Sequence, residues 1–394
     1  MSKSIAILGS TGSIGKILLD TVKKNKKFFK VVLLTANKDH KTLYAQAMKY
    51  NVKNVIITNK ISFQILKKKC IKKKINVYNN FSIFNKIFKK KVDYTMNSIV
   101  GFAGLKPTLN IIKYTKQIAI ANKESIICGW NLIKKKSFKN KTKIIPIDSE
   151  HFSIWTSLNE FEINDHKNLD DLIQNLYITA SGGPFKNTPY VDFKKINVKQ
   201  AIKHPTWKMG KKISIDSATL VNKLFEVIEA QRLFNINIDK ISIKIHPNSY
   251  IHSIIKLNNG LIKICAHEPD MSIPIINSLD KNLHHPSKIK TNFKILNNLK
   301  FTDVDKKKFP IIRILKNYPN QCSLYDTALV SVNDELVNLF INNKISFNDI
   351  FKNLLNILNL RSIKKLKKIV PKNYKEIRKI NHFVRLKTIK QCIC

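Results

Sequence analysis

The sequence predicts an α/β protein of three parts: a parallel-sheet domain over residues 1–147, an α+β domain over 148–279 and, after a linker at 280–310, a small helical domain over 311–394. A length of 394 residues suits two or three domains of roughly 150 residues each. Two patterns support this division. Short apolar runs alternate with amphipathic segments in the first part, and the last part has a helical period.

The first part contains several short apolar runs, and we expect each of them to be a strand of one parallel sheet. They are SIAIL, KVVLL, NVIIT, QIAIA and KIIPI.

The central part combines strands with a helix. Apolar runs at 241–245, 251–257 and 261–266 predict strands, and the Asn-Asn-Gly sequence at 258–260 predicts a hairpin between the last two. A helix is expected from about Ala218 to Phe234.

The last part contains an apolar stripe with spacing i, i+3, i+4 and i+7, which predicts one amphipathic helix. The stripe consists of Phe347, Ile350, Phe351, Leu354, Leu355 and Leu358.

The composition is strongly basic, with 71 Lys plus Arg against 26 Asp plus Glu and a formal net charge of +45. Such a charge is typical of nucleic-acid-binding proteins. The excess is nearly all lysine, however, and is spread from Lys23 to Lys390 alongside many Asn and Ile residues. This favours compositional drift, and we expect no specific nucleic-acid partner.

The cysteines and the hydropathy indicate a cytoplasmic protein. Six Cys residues are scattered without the paired spacing of a zinc site or a redox dithiol, which suits a reducing compartment. The N-terminal segment lacks the apolar core of a signal peptide. No stretch approaches the ~20 apolar residues of a membrane span, so we expect no membrane partner.

The segment GSTGSIG, from Gly9 to Gly15, follows the first predicted strand. Glycines in this place let the backbone approach a pyrophosphate, whose charge then lies at a helix N-terminus. The spacing is GxxGxxG rather than GxGxxG, but the position directly after the first strand favours a dinucleotide site over a plain turn, so we predict that the first domain is Rossmann-like.

The end of the second predicted strand bears on cofactor choice. Sites for NAD usually have an acid here, whereas this chain has Asn37 and Lys38. A lysine ammonium suits a ribose 2′-phosphate and therefore indicates NADPH, while Asp39 directly after it weakens that prediction.

Acidic residues are scarce, which makes the pair Asp148 and Glu150 after KIIPI conspicuous. In an extended segment both carboxylates would point the same way and meet one cation. On the predicted helix, Asn222, Lys223 and Glu226 lie near one face, and Glu226 would add a third oxygen ligand. Oxygen ligands alone suit Mg²⁺ or Mn²⁺. The alternative for the helix is an ordinary Lys–Glu pair.

Two loops add polar groups. In TASGGPF, Ser181 and the glycine amides form a phosphate cradle or, alternatively, a simple turn. In HPTWKMG, His204 and Trp207 lie on a predicted flap near 184–210. A Trp that closes over a ligand excludes water, and docking on the core is the alternative.

Several motifs, in one order along the chain, together resemble the 1-deoxy-D-xylulose 5-phosphate reductoisomerase family. They are GSTGSIG, ANKES (121–125), DSEH (148–151), TASGGPF, HPTWKMG, DSATLVNKLFEVIEA (216–230) and IHPNS (245–249). The C-terminal third matches in its helical character and in VNDE (332–335).

The resemblance implies an NADP-dependent oxidoreductase of the non-mevalonate isoprenoid pathway. Members convert 1-deoxy-D-xylulose 5-phosphate into 2-C-methyl-D-erythritol 4-phosphate with NADPH and a divalent metal, in steps thought to be retro-aldol, aldol and hydride transfer. The resemblance also implies a homodimer.

The resemblance also assigns roles to residues of this chain. Those expected to contact the cofactor are Thr11, Gly12, Ser13, Ile14, Asn37, Lys38, Asn122, Glu124 and Gly210. Those expected to bind the metal are Asp148, Glu150 and Glu226. Those expected to contact the substrate are Lys123, Ser149, Ser181, His204, Ser217, Asn222 and Lys223, with Trp207 on the flap.

One departure from the family pattern concerns the adenosine end of the cofactor. The family often has a small residue, a basic residue and Asn, where this chain has Asn37, Lys38 and Asp39. We expect the aspartate to weaken the hold on the 2′-phosphate.

Two other functions stay open at this point. A semialdehyde dehydrogenase would share the glycine loop but needs a nucleophilic cysteine, and Cys128 in SIICGW has an apolar setting without a nearby His. A nucleic-acid-binding protein would show salt-dependent binding without turnover.

Overall fold

The computed structural model describes residues 2–158, 169–207, 209–283 and 291–393. The chain forms two compact units. The first consists of Met1–Ser125, Leu132–Asp148 and Met271–Ile289, and the second of Ile126–Asn131, Ser149–Asp270 and Lys290–Cys394. The predicted three-domain division at 147, 279 and 310, and the flap, stay predictions.

The strands of the described residues are numbered in chain order. They are β1 (Lys3–Leu8), β2 (Phe29–Ala36), β3 (Asn54–Ile57), β4 (Asn76–Tyr78), β5 (Val92–Asn97), β6 (Thr115–Ile120), β7 (Lys143–Pro146), β8 (Ile173–Ala180), β9 (Ile241–Ile245), β10 (Ile251–Leu257), β11 (Ile262–Ala266) and β12 (Thr302–Asp303).

The α-helices of the first half are α1 (Ser13–Lys24), α2 (His40–Lys49), α3 (Lys60–Cys70), α4 (Phe84–Ile87), α5 (Leu105–Ile111), α6 (Lys123–Lys139), α7 (Ser149–Leu158), α8 (Leu169–Leu172) and α9 (Val198–Ala201). Those of the second half are α10 (Lys211–Ala218), α11 (Val221–Phe234), α12 (Ser272–Leu279), α13 (Phe293–Leu296), α14 (Leu324–Ile341), α15 (Phe347–Asn359), α16 (Arg361–Lys364) and α17 (Tyr374–Ile393).

The first unit is built on a seven-stranded parallel sheet in the order β4-β3-β2-β1-β5-β6-β7. This confirms the predicted α/β fold with a parallel sheet. The central strand β1 is buried along its last four residues, as expected when helices cover both faces of a parallel sheet. The strand order reverses between β1 and β5, and in such sheets that crevice binds the ligand.

Two strands of this sheet were not predicted from the sequence. The runs predicted from the sequence are β1, β2, β3, β6 and β7, and the structure adds β4 and β5. In β5, Thr95 and Asn97 are fully buried polar residues that interrupt the apolar pattern. The strand therefore did not register as an apolar run.

The second unit contains a five-stranded mixed sheet in the order β11-β10-β8-β9-β12. The hairpin predicted at 258–260 is confirmed, because β10 pairs antiparallel with β11. The predicted helices are also present, as α11 and α15. Helix α14 packs against α10, α15 and α17, which confirms the helical character of the C-terminal region.

Within the described residues, the helices are too short or too polar for any of them to cross a membrane.

Candidate functional site

The glycine loop lies at the carboxyl end of β1 and leads into α1. Gly9 has φ +86°, and a Cβ added at Gly15 would lie 2.6 Å from both the Gly9 carbonyl oxygen and the Ser10 Cα. Ser10 is fully buried, and its Oγ donates to Gln46 of α2 at 2.8 Å. This hydrogen bond therefore fixes the loop to α2. The predicted cofactor residues on it are half-buried at Thr11 and Ile14 and exposed at Gly12 and Ser13.

The segment after β5 lies beside this loop, and the sequence did not predict it as part of the site. The Ser98 hydroxyl, just after β5, donates to the Leu8 and Gly9 carbonyls at 2.9 and 3.1 Å. A Cβ at Gly9 would lie 2.9 Å from the Ser98 carbonyl oxygen. No sequence signal marked this segment, because β5 itself was not predicted as a strand.

The predicted 2′-phosphate residues follow β2. Lys38 is exposed, and the Asn37 amide donates to Thr58 Oγ1 at 2.8 Å. Asp39 is the N-cap of α2, where its carboxylate accepts a hydrogen bond from the Thr42 amide at 3.0 Å. That hydrogen bond lowers the pKa of Asp39 below its ordinary value. Asp39 therefore has a local structural role that the sequence analysis did not assign.

The ANKES motif begins α6. Asn122 caps that helix by accepting from the Ser125 amide at 2.6 Å, and its own amide donates to the Gly101 carbonyl at 2.7 Å. Lys123 Nζ lies 2.5 Å from Asp148 Oδ2, and Glu124 is buried in the first helical turn. Asn122 thus serves the backbone, and its cofactor contact stays a prediction.

The extended geometry expected for Asp148 and Glu150 is wrong. The strand β7 ends at Pro146, and α7 begins at Ser149. Glu150 therefore lies in the first turn of a helix, which suits a carboxylate because the helix dipole is positive there.

In the second unit, Lys223 joins α7 to α11. Its Nζ lies 2.5 Å from Glu226 Oε2 and also contacts Glu150 Oε1. Asn222 donates to the other oxygen of Glu226 at 2.5 Å. Ser149 donates to Glu150 Oε2 at 2.7 Å. Residues predicted from two separate motifs thus meet in one cluster, called here the Lys223 cluster.

Burial strengthens the electrostatic interactions within this cluster. Lys223, Glu150 and Glu226 are exposed by 7%, 8% and 1%. Burial alone would lower the pKa of Lys223, but the charges of Glu150 and Glu226 outweigh it and raise the pKa. Lys223 is therefore a cation at neutral pH.

The predicted phosphate cradle contacts the predicted flap. Ser181 Oγ lies 3.1 Å from His204 Nε2 and accepts from the Gly183 amide at 3.1 Å. His204 Nδ1 accepts from the amides of Thr206 and Trp207, at 3.1 and 2.9 Å, which places the ring proton on Nε2. Burial, with the charge of Lys223, lowers the pKa of His204 to about 4. His204 is thus a neutral donor at pH 7.

Gly183 brings this cradle close to the end of α10. It has φ +68°, and a Cβ there would lie 2.9 Å from the Ser217 carbonyl oxygen. Only glycine fits so close an approach in this backbone conformation. Ser217 is half-buried near the end of α10, and Gly210 is the exposed N-cap of the same helix.

Three histidines lie near the Lys223 cluster. His252 was predicted to be structural, and no role was predicted for His151 or His267. Trp207 packs edge-on against His252 at 6.3 Å between ring centroids, and His252 stacks on His267 at 3.8 Å. His151 Nε2 lies 2.8 Å from the Glu226 carbonyl oxygen, and its Nδ1 lies 3.4 Å from Glu229. The Trp207 ring thus packs against an imidazole.

Three family models match successive parts of the chain. Residues 5–129 match the model for 1-deoxy-D-xylulose 5-phosphate reductoisomerase. Residues 144–234 match its C-terminal domain, and residues 267–387 match a model described as the DXP reductoisomerase C-terminal domain.

Relatives and solved structures agree with these matches. The chain is 53% identical over 388 residues to 1-deoxy-D-xylulose 5-phosphate reductoisomerase of Pelagibacter ubique, covering 98% of each chain. It is 38% identical to that of Clostridium tetani, over 89% of this chain and 90% of the other. The Zymomonas mobilis structure in complex with NADPH has a TM-score of 0.86 at 29% identity, covering 100% of this chain and 99% of that one. A DOX-P reductoisomerase structure with NADPH, fosmidomycin and magnesium has a TM-score of 0.90 at 29% identity, covering 99% and 98%.

Proposed function

The chain belongs to the 1-deoxy-D-xylulose 5-phosphate reductoisomerase family, and we propose how its own residues perform the family's reaction. That reaction is the NADPH- and metal-dependent conversion of 1-deoxy-D-xylulose 5-phosphate to 2-C-methyl-D-erythritol 4-phosphate. The protein is therefore an NADPH-dependent oxidoreductase.

The metal is held by Asp148, Glu150 and Glu226. Glu150 and Glu226 are buried and already converge on one cation, the ammonium of Lys223. Asp148 precedes Glu150 by two residues in the chain. Carboxylate oxygens alone fit a hard divalent cation, so Mg²⁺ suits the site and Mn²⁺ is proposed as its substitute.

When bound, the metal supplies a Lewis acid for the sugar oxygens, and NADPH supplies the hydride. The chain's own residues bind and orient. Lys223 holds Glu150 and Glu226 in place, while Ser149 and Asn222 orient one oxygen of each.

The substrate phosphate is bound by Ser181, Ser217, Asn222 and Lys223. The hydroxyls and the amide donate hydrogen bonds, and the buried ammonium of Lys223 adds charge. Since the phosphate is remote from the reacting carbons, its binding energy helps to align them.

The rest of the substrate site comes from Lys123, Ser149 and His204. His204 is neutral and offers its Nε2 proton toward Ser181. The Trp207 amide is one of the two that fix His204, so closure of the flap would carry the indole and the imidazole together and exclude water.

NADPH binds along the glycine loop through Thr11, Gly12, Ser13 and Ile14. A Cβ at Gly15 would collide with the Gly9 carbonyl oxygen and the Ser10 Cα, so glycine there lets α1 begin directly against the loop and present its N-terminus to the pyrophosphate. Asn37 and Lys38 take the 2′-phosphate end. The remaining proposed contacts are Asn122, Glu124 and Gly210.

The single observation that carries this proposal is the contact of Lys223 with both Glu150 and Glu226. It unites two motifs that are 73 residues apart in the chain. The structure gives no support to the dehydrogenase alternative, because its candidate nucleophile Cys128 is only 2% exposed.

The direct test follows NADPH absorbance with 1-deoxy-D-xylulose 5-phosphate as substrate. We expect EDTA to abolish the oxidation and Mg²⁺ or Mn²⁺ to restore it. Unchanged turnover in chelator would contradict the metal site, and absence of turnover in every metal would contradict the function.

We propose a homodimer that forms through the outer edge of the second sheet. β11 is an edge strand, and Leu261, Ile262 and Ile264 are 59%, 58% and 52% exposed along it. An exposed apolar edge strand can pair with a strand of another chain. Sedimentation velocity should give the mass of two chains.

The non-mevalonate pathway and a cytoplasmic location remain part of the same proposal.

A further inference from the structure

The VNDE segment on α14 is a family motif that the proposed site does not use. Its Asn333 is fully buried, and the side-chain amide donates to Asp216 Oδ1 of α10 at 2.8 Å. Asp216 is itself only 3% exposed and directly precedes Ser217. A helix of the C-terminal region thus holds the residue next to a proposed phosphate ligand.

The other oxygen of Asp216 is held too. Lys212 Nζ lies 3.1 Å from Asp216 Oδ2 and 3.0 Å from Asp334. Arg385 of α17 pairs with Asp334 at 2.7 Å and with Glu335 at 3.0 Å. In a chain with few acids, three of them are gathered into one network that ends on α10.

This network supports a strained corner. Leu220, between α10 and α11, has φ 59° and ψ 9°, a left-handed conformation that a non-glycine residue adopts only when its surroundings impose it. Thr219 is fully buried, and its hydroxyl bonds back to the Ile215 carbonyl at 3.0 Å. Ser217 lies just before the corner, while Asn222 and Lys223 lie just after it.

We propose that Asn333 is a positioning residue for the substrate phosphate. By holding Asp216 it fixes the corner, and the corner sets Ser217 against Asn222 and Lys223. This inference rests on the proposed function, because it takes Ser217 as a phosphate ligand. Asn333 itself touches no substrate and acts through Asp216.

The test is the near-isosteric variant Asn333→Leu, assayed with the full chain, Mg²⁺ and NADPH. We expect the KM for 1-deoxy-D-xylulose 5-phosphate to rise about tenfold, equal to about 1.4 kcal/mol of binding free energy. The KM for NADPH should stay within about twofold, because the proposed cofactor contacts other than Gly210 belong to the first unit, and Gly210 lies at the opposite end of α10 from Ser217.

A matched control separates positioning from general stability. Asn381 of α17 donates to Ser331 of α14 at 2.7 Å, and it is also buried. Asn381→Leu therefore removes a comparable bond to the same helix, away from α10. Both variants should lower the unfolding temperature, but only Asn333→Leu should raise the substrate KM.

A double-mutant cycle with Ser217→Ala gives the decisive readout. If Asn333 acts through Ser217, Asn333→Leu should change the substrate KM by less than about twofold in the Ser217→Ala background. Effects that multiply in the double variant, or equal effects of Asn381→Leu, would overturn the positioning role.

The outcomes distinguish this inference from the proposed function. If Ser217→Ala leaves the substrate KM unchanged, the phosphate assignment fails and the inference with it. If Ser217→Ala raises the KM and Asn333→Leu does not, only the inference fails. Should Asn333→Leu not fold, Lys212→Met, which frees the other oxygen of Asp216, decides by the same cycle, with a rise of about threefold expected and no rise contradicting the inference.

Discussion

The glycine loop of the first unit and the Lys223 cluster of the second work by different physical means. The loop depends on backbone shape, since Gly9 has φ +86° and Gly15 leaves no room for a Cβ. The cluster depends on charge, since a buried lysine contacts two buried carboxylates. A change of volume should therefore damage the loop, whereas a change of charge at similar volume should damage the cluster.

The largest effect is expected for Lys223→Ala. Truncating one partner of a buried, hydrogen-bonded charge pair costs about 2–5 kcal/mol, so kcat/KM should fall by at least about 30-fold. The loss should include a higher KM for 1-deoxy-D-xylulose 5-phosphate. Steady-state kinetics in saturating Mg²⁺ would measure it, and wild-type kinetics would remove Lys223 from the site.

Lys244→Ala is the matched control for that variant. Lys244 pairs with Asp303 at 2.8 Å, but the Asp303 side chain is 85% exposed. Exposed pairs contribute little, so we expect kinetics within about twofold of wild type. A large loss in this control would mean that any lysine removal harms the enzyme.

The cofactor side is tested by Gly15→Ala. The added Cβ would lie 2.6 Å from the Gly9 oxygen, so the loop must shift. Overpacking costs about 1–3 kcal/mol, and we expect the KM for NADPH to rise about tenfold with little change for the sugar phosphate. In Gly12→Ala the Cβ meets no described protein atom closer than the Gly9 oxygen at 3.4 Å, so the loop should keep its shape and the unfolding temperature should hold, whereas Gly15→Ala should lower it. Equal unfolding temperatures of the two variants would contradict a shape-dependent loop.

The smallest effect is expected for Asp39→Asn. Asn caps helices as well as Asp does, so the unfolding temperature should hardly change. Removing the carboxylate beside Lys38 should strengthen binding of the 2′-phosphate about two- to fivefold, and salt should diminish the gain. NADPH titrations at two ionic strengths would measure this. Unaltered affinity at low salt would show that Asp39 does not oppose the cofactor.

Local patterns predicted much of this architecture because they depend on neighbouring residues. The glycine loop, the hairpin at 258–260 and the Asn222–Lys223–Glu226 face follow from spacing alone. β5 did not, because its buried Thr95 and Asn97 look polar in sequence. The turn of Glu150 into α7 also did not, since nothing local distinguished a helix start from a strand end.

Long-range partners lay beyond the sequence for a different reason. Neither the contact of Lys223 with Glu150 nor that of Asn333 with Asp216 has a local signature, since each joins segments far apart in the chain. Only the three-dimensional arrangement pairs them. The family motifs indicated that these residues mattered, but not which of them meet.

We propose that carboxylate charge holds the metal, whereas the backbone shape of the glycine loop holds the cofactor. Mn²⁺ binding, followed by electron paramagnetic resonance without substrate or NADPH, tests it most directly. We predict about one bound Mn²⁺ per wild-type chain, at least about 100-fold weaker binding in Glu226→Gln, and unchanged binding in Gly15→Ala. Wild-type affinity in Glu226→Gln would contradict the account.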